Sequence, residues 1–184
     1  EGMTIILNSL TRMAQLTRAF KQLASDRAST ERRSFDLIEL VHEVMLLFTP
    51  KLRQSAHQVI LDLPERLQLD SYPGPLGQIL QNLIDNALIH AFEPAAHGTV
   101  TVRVDHDALR HECVIEVLDN GCGMSEEVLA KIFDPFFTTR RGRGGTGLGL
   151  HITHQLAVDI LGAELQVCST PGQGTQFRLR LPLA

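Results

Sequence analysis

Several short stretches of this 184-residue chain combine residue types and spacings that can do chemistry together. Asn82, Asn86 and His90 stand four apart with Asp85 between them, so on a helix the three share one face while Leu83, Ile84 and Ala87 point elsewhere. Two amides on one helical face offer neutral oxygen ligands, suited to a hard cation that keeps waters and borrows phosphate oxygens. The plainer alternative is a solvated helix face. Asp119-Asn120-Gly121-Cys122-Gly123 follows a strand-like run at 113–118. Asp-Asn-Gly also makes a hairpin turn, but a hairpin needs a strand after Gly123, and Met124-Ser125-Glu126-Glu127 opens a helix with Ser125 as its cap. A carboxylate at a strand end, beside glycines that let the chain pass close to a flat ring, can accept from an exocyclic amine, which favours adenine over guanine.

A third stretch runs Gly142-Arg143-Gly144-Gly145-Thr146-Gly147-Leu148-Gly149-Leu150, with five glycines in eight residues. Glycine-rich backbone ahead of a helix is a ready anion site. It is not a Walker A loop, because no GxxxxGK[ST] is present, and no parallel βαβ unit surrounds it as a dinucleotide fingerprint requires. A flexible linker is the alternative, against which Leu148 and Leu150 lead into a periodic helix. Arg140, Arg141 and Arg143 add local positive charge. Gly172-Gln173-Gly174-Thr175 reads by itself as a turn between strands. Phe133, Pro135, Phe136 and Phe137 are apolar weights in the loop, able to dock when it closes, or else a satellite of the core. His151 and His154 lie three apart with no third ligand apparent and read as structural or surface residues; His57, His97, His106 and His111 have no constellation around them.

The elements that must position these residues follow from periodicity. Residues 75–92 form a long helix with Leu76, Ile79, Leu80, Leu83, Ile84, Ala87 and Leu88 as its apolar side. Asp36 and Glu39 can make a capping box for a helix to about Phe48, with a second helical stretch after Pro50. Strands are expected at 58–63 and 67–70, a hairpin at 99–106 and 111–118, a mainly loop region at 119–147, a helix at 148–161, and strands at 164–169 and 175–181. That order predicts a two-layer α/β sandwich. Residues 3–24 carry a heptad seam of Met3, Ile6, Leu10, Met13, Thr17, Phe20 and Ala24, which needs a partner helix, a second copy or its own domain to cover it. The polar stretch 25–34 reads as a linker.

Composition narrows the class. Hydrophobic residues make up 43% and charged residues 21%, a globular balance rather than a disordered one. The longest apolar run, residues 44–48, is far too short for a bilayer span, and the polar interruptions at Asn8, Thr11, Arg12 and Arg18 do not suit a signal peptide. With 17 Lys+Arg against 21 Asp+Glu the net charge is −4, which gives no overall attraction to nucleic acid. Cys113, Cys122 and Cys168 form neither a disulfide framework nor a CxxC site, so a reducing cytoplasm is expected. Residue 1 is Glu, and the chain is expected to be a fragment.

Taken in order, NLIDNALIH (82–90), DNGCG (119–123), FDPFF (133–137), GGTGLGL (144–150) and GQGT (172–175) resemble the N, G1, F, G2 and G3 boxes of the ATP-binding catalytic domain of sensor histidine kinases. Each box is short, but five in this order are specific, and the resemblance covers roughly residues 35–184. It implies the Bergerat fold: an α+β, two-layer sandwich with a mixed, mostly antiparallel sheet and helices on one face, preceded here by one amphipathic helix. Residues 1–30 would be the C-terminal helix of a truncated dimerisation and phosphoacceptor hairpin plus linker, and residues 31–184 the catalytic domain. The implied ligands are ATP and Mg²⁺. Asn86 would bind the metal with Asn82 assisting, Asp119 would hold the adenine amino group with Thr175 close by, and His90 would cover the adenine. Gly145, Gly147 and Gly149 would let the backbone meet the phosphates, and Arg140 and Arg143 would reach them from a lid. Asp85, Gly121, Gly123, Phe133, Thr146 and Leu148 complete the implied nucleotide-binding set. Two positions depart from the pattern. Ile89 stands where the family often has Lys, and His42-Glu43 lacks the Arg and Pro expected after a phosphoacceptor, so the acceptor is expected upstream of residue 1.

The resemblance further implies transfer of the ATP γ-phosphate to a histidine on the dimerisation domain of the same protein, and onward transfer to a response regulator aspartate. A water-splitting ATPase of this fold is expected to carry Glu at position 82; Asn82 is a poor base, so hydrolysis is expected to be slow. The loop 121–147 would be a lid that excludes water. The implied partners are ATP or ADP, that domain, the regulator and a second copy through the N-terminal helix, with no nucleic acid. A cytoplasmic location is expected, whether or not the full-length parent is anchored in a membrane. The alternatives are a Ser/Thr kinase of the same fold, as in anti-sigma factors, and a nucleotide-sensing interaction module without turnover.

Overall fold

A computed structural model describes residues 31–92, 97–139 and 147–183 of the chain. The expected helix at 3–24 lies outside them, as do Arg140, Arg143, Gly145 and Thr146. The first strand, β1 (Arg33–Asp36), takes in the last two residues of the expected linker and pairs antiparallel with β3 (Gln68–Ser71). Its first two residues are exposed and polar and Phe35 and Asp36 are half-buried, so its pairing comes from a partner more than thirty residues away rather than from local alternation.

Helix α1 (Leu37–Arg53) starts at Asp36, whose carboxylate accepts from the Ile38 N–H at 2.9 Å. Burial works to raise the Asp36 pKa, but the N–H groups of Ile38 and Leu67 and the Arg66 guanidinium outweigh it and hold the carboxyl below its ordinary value. The expected break before Pro50 does not occur; the helix runs through it. Proline removes the N–H that would bond the Leu46 carbonyl, and Leu46 is on the wet side, 71% exposed, where water can take that carbonyl.

Helix α2 (Pro73–Asn86) opens with prolines, which cost nothing where N–H groups are unpaired anyway, and buries Leu76, Ile79, Leu80, Leu83 and Ile84. The expected continuous helix to Phe92 instead loosens into a π-turn, Ala87–Ala91. The sheet has five strands in the order β2 (Gln58–Asp62), β4 (Thr99–Asp107), β5 (Glu112–Asp119), β7 (Gly174–Pro182), β6 (Glu164–Thr170). Only β2 and β4 are parallel. Two short helices, α3 (Glu126–Leu129) and α4 (Gly149–Gln155), complete the elements of the described residues, and α4 passes into a second π-turn, Leu156–Ile160.

Strand alternation decides which face the helices cover. Val100, Val102, Ile115, Val117, Phe177 and Leu179 point to the helices and are almost fully buried. The other face carries an ion-pair ladder, in which Glu116 receives Arg178 Nε at 2.6 Å and Arg103 Nη1 at 3.6 Å. The result is the expected two-layer α+β sandwich with a mostly antiparallel sheet and helices on one side. No helix among the described residues is long and apolar enough to cross a membrane.

Candidate functional site

Helix α2 and its π-turn, the loop after β5, α3 and the start of α4 surround an open cavity of about 460 Å³. Its polar wall is Asn82, Asp85, Asn86 and His90, so the residues spaced along α2 do reach one space, even though the helix loosens after Asn86. The Asn82 amide nitrogen donates to the Gly149 carbonyl and to Thr153 Oγ1, both at 3.3 Å, which ties α2 to the glycine-led helix and leaves the Asn82 carbonyl oxygen for the cavity. Asp85 accepts from Lys51 Nζ of α1 at 2.5 Å. Among the described residues no cluster of three or more His, Cys, Asp and Glu could hold a metal, and the side-chain oxygens that line this cavity on α2 are those of Asn82, Asp85 and Asn86.

Asp119 ends β5 between Val100 and Thr175. Its Oδ1 accepts from the N–H of Gly121 at 2.9 Å and of Thr175 at 3.2 Å, so one oxygen is fixed by the local turn and the other is left to accept elsewhere. Burial pushes the Asp119 carboxyl above its ordinary pKa, and the two N–H groups oppose that rise without cancelling it. Asp119, Gly121 and Thr175 do not line the cavity themselves; they form the base on which Cys122 and Gly123, which do, are seated.

That base is knitted by main chain. Cys122 N–H donates to the Ala91 carbonyl at 2.8 Å, and Gly172 N–H to the Cys122 carbonyl at 2.7 Å. A β-carbon on Gly121 would collide with the Ala91 carbonyl, and one on Gly123 with the Thr170 carbonyl. These glycines are therefore required by neighbouring backbone, independently of any ring beside them. Ser169 is a linking residue that local pattern did not single out. Its Oγ accepts from Met124 N–H at 2.9 Å and meets Thr175 Oγ1 at 3.0 Å, joining β6, β7 and the loop.

The glycine run divides in two. Gly147 has φ +68°, and a β-carbon there would lie 2.5 Å from the Phe136 carbonyl carbon, so packing and backbone conformation both demand glycine. Gly149 lines the cavity, and a β-carbon on it would meet none of the described residues within 4 Å. Open space at a cavity-lining glycine is room for a ligand to approach backbone. Leu148, next to it, does not line the cavity.

The lining also has apolar residues: Ile89, Met124, Val128, Ile132 and Leu150. Met124, Val128 and Ile132 recur every four residues, the signal that marks them in a stretch otherwise read as loop. Ser125 caps α3 as expected, accepting from Val128 N–H at 3.4 Å. Phe137 lines the cavity but Phe133 does not. Phe133 is held from α4, with its carbonyl 3.0 Å from His151 Nδ1, which acts as donor to it, and its ring centroid 5.0 Å from that of His154. His151 and His154 thus both contact Phe133, His151 half-buried and His154 exposed.

The family described as "Histidine kinase-, DNA gyrase B-, and HSP90-like ATPase" matches residues 72–184. The circadian input-output histidine kinase CikA of Synechococcus elongatus is 36% identical over 168 residues, covering 88% of this chain and 22% of that protein. The nucleotide-free catalytic domain of the histidine kinase ThkA superposes with a TM-score of 0.72 at 30% identity, covering 83% of this chain and 96% of that one. Full-length ShkA in complex with AMPPNP gives a TM-score of 0.70 at 27% identity, covering 84% of this chain and 31% of that one. The chain spans about a fifth of the length of the curated relatives it matches.

Proposed function

Because the chain belongs to the histidine kinase-, DNA gyrase B- and HSP90-like ATPases and is homologous to sensor histidine kinases, we propose that residues 31–184 are the ATP-binding catalytic domain of a two-component sensor kinase. It passes the γ-phosphoryl group of ATP to a ring nitrogen of a histidine on the dimerisation domain of its own protein; the bond from that phosphorus to the bridging oxygen breaks and ADP leaves. A response regulator aspartate then receives the phosphoryl group. Residues 1–30 belong to the dimerisation hairpin, and their seam joins a second copy. The location is cytoplasmic.

The observation that carries this reading is the Asn82 bridge to Gly149, which puts the amide face of α2 and the glycine-led helix on one cavity. Asp119 receives the adenine amino group on the oxygen its own turn leaves over, with Thr175 beside it, and the His90 ring covers the base. Asn86 and the Asn82 carbonyl oxygen would hold Mg²⁺, whose contribution is to neutralise phosphate charge. Neutral oxygens on the α2 wall and open space at Gly149 fit a metal–phosphate group. Gly145, Thr146, Arg140 and Arg143 complete the phosphate end. Asn82, bound through its nitrogen and unable to act as a base, leaves water unactivated and reserves the phosphoryl group for imidazole.

The test is to incubate the chain with γ-labelled ATP and the separately supplied dimerisation domain of its parent. Acid-labile, alkali-stable label on that domain is the expected result. Acid-stable label would instead favour a Ser/Thr kinase, and bound ATP without transfer a nucleotide-sensing module.

A further inference from the structure

We propose that Lys51 is the counter-charge that makes this cavity acceptable to a polyphosphate, acting by neutralising Asp85; the inference rests on the nucleotide reading above. Among the described residues that line the cavity, Asp85 is the one Asp, Glu, Lys or Arg, and its sign is wrong for a di- or triphosphate. A bare carboxylate on the wall that receives several phosphate charges repels each of them through a medium of intermediate dielectric. Lys51 removes that obstacle. It comes from the last turn of α1, thirty-four residues earlier in the chain, and its Nζ lies 2.5 Å from Asp85 Oδ1.

The pair is not explained by folding alone. The two side chains are 42% and 45% exposed, and ion pairs that wet contribute little to stability. Their position gives them a second consequence, because the charge of the pair is seen by whatever fills the cavity. Lys51 does not line the cavity, so it is a positioning residue that works through Asp85.

A mutant cycle tests this with adenosine, ADP and ATP titrated calorimetrically in the presence of Mg²⁺. The proteins are the 184-residue chain, Lys51→Met, Asp85→Asn and the double variant. Lys51→Met is expected to weaken ATP roughly tenfold and ADP less, with adenosine within about twofold of the parent. Asp85→Asn is expected to tighten ADP and ATP severalfold, since it leaves Lys51 unpaired beside the phosphates, and the double variant to return close to the parent. Equal weakening of adenosine and ATP by Lys51→Met would make the lysine merely structural and overturn the proposal. So would a double variant as weak as Lys51→Met, which places the lysine on the phosphate itself, or weaker Mg·ATP binding by Asp85→Asn, which makes Asp85 a metal ligand. A parent chain that binds none of the three refutes the nucleotide reading as well, whereas a parent that binds and variants that do not separate the ligands refute this inference alone.

Discussion

Replacing Asp119 by Asn should separate binding from stability, in opposite directions. Asp119 Oδ1 accepts from Gly121 and Thr175 N–H groups, and an asparagine can keep both bonds with its own carbonyl oxygen. It must then present an NH₂ group where the free carboxylate oxygen stood. A donor facing the adenine amino donor loses a hydrogen bond to a charged acceptor, about 1.5–3 kcal/mol, or roughly 10- to 150-fold in affinity. Stability moves the other way. The folded pKa of Asp119 is raised by burial above its ordinary value of 3.8. For such a group the folded state is favoured while the carboxyl is protonated, and that advantage is lost as pH rises through the folded pKa. At neutral pH the ionised side chain therefore costs stability, and a neutral isostere removes the cost. Calorimetric titration of Mg·ATP and thermal melts on the same samples check both halves. Unchanged ATP affinity would refute the assignment of Asp119 to the base, and a sharply lowered melting temperature would refute the claim that its turn survives the substitution.

Acid should reproduce part of that effect without mutation. Because burial raises the Asp119 pKa, ATP affinity should begin to fall at a pH above that at which an ordinary carboxylate protonates, and titrations at successively lower pH should show a loss that Asp119→Asn lacks. Gly147→Ala should destabilise the chain by more than about 1 kcal/mol, from positive φ and collision with the Phe136 carbonyl, whereas Gly149→Ala should leave melting unchanged or raised and still weaken nucleotide binding. Asn82→Ala should cost about 1–3 kcal/mol in denaturant unfolding, because it strands Thr153 Oγ1, whose residue is fully buried, and unties Gly149. His151→Asn should hold the Phe133 carbonyl through its amide N–H and melt within about 0.5 kcal/mol of the parent, while His151→Ala should lose about 1 kcal/mol.

What the sequence made legible was what depends on near neighbours. The apolar side of α2, the hairpin of β4 and β5, the Ser125 cap and the final strands all announce themselves by periodicity or turn chemistry, and all are present within a residue or two. The spacing of Asn82, Asn86 and His90 also placed them correctly on one wall. What stayed hidden depends on distant chain. β1 has no alternating pattern and exists because β3 pairs with it. Pro50 continues a helix where the residue whose carbonyl it leaves unbonded, Leu46, is 71% exposed, a fact about burial rather than about proline. Ser169 and Lys51 earn their positions only through partners about six residues or more away in sequence, on other elements.

The glycines show why composition alone could not divide the site into scaffold and ligand space. Gly121, Gly123, Gly147 and Gly174 all sit in motif-bearing stretches, and each is forbidden a β-carbon by a specific piece of main chain: Ala91, Thr170, Phe136 and Asp119 respectively. Those contacts would require glycine even if the domain never met a nucleotide. They hold the loop after β5, the β6–β7 turn and the Phe-rich loop in one rigid frame, and so make the cavity reproducible. Gly149 is different, since none of the described residues comes within 4 Å of a β-carbon placed there. It is the first residue of α4. A glycine that lines the cavity and meets no neighbour among the described residues leaves room for the close approach of something from outside the chain.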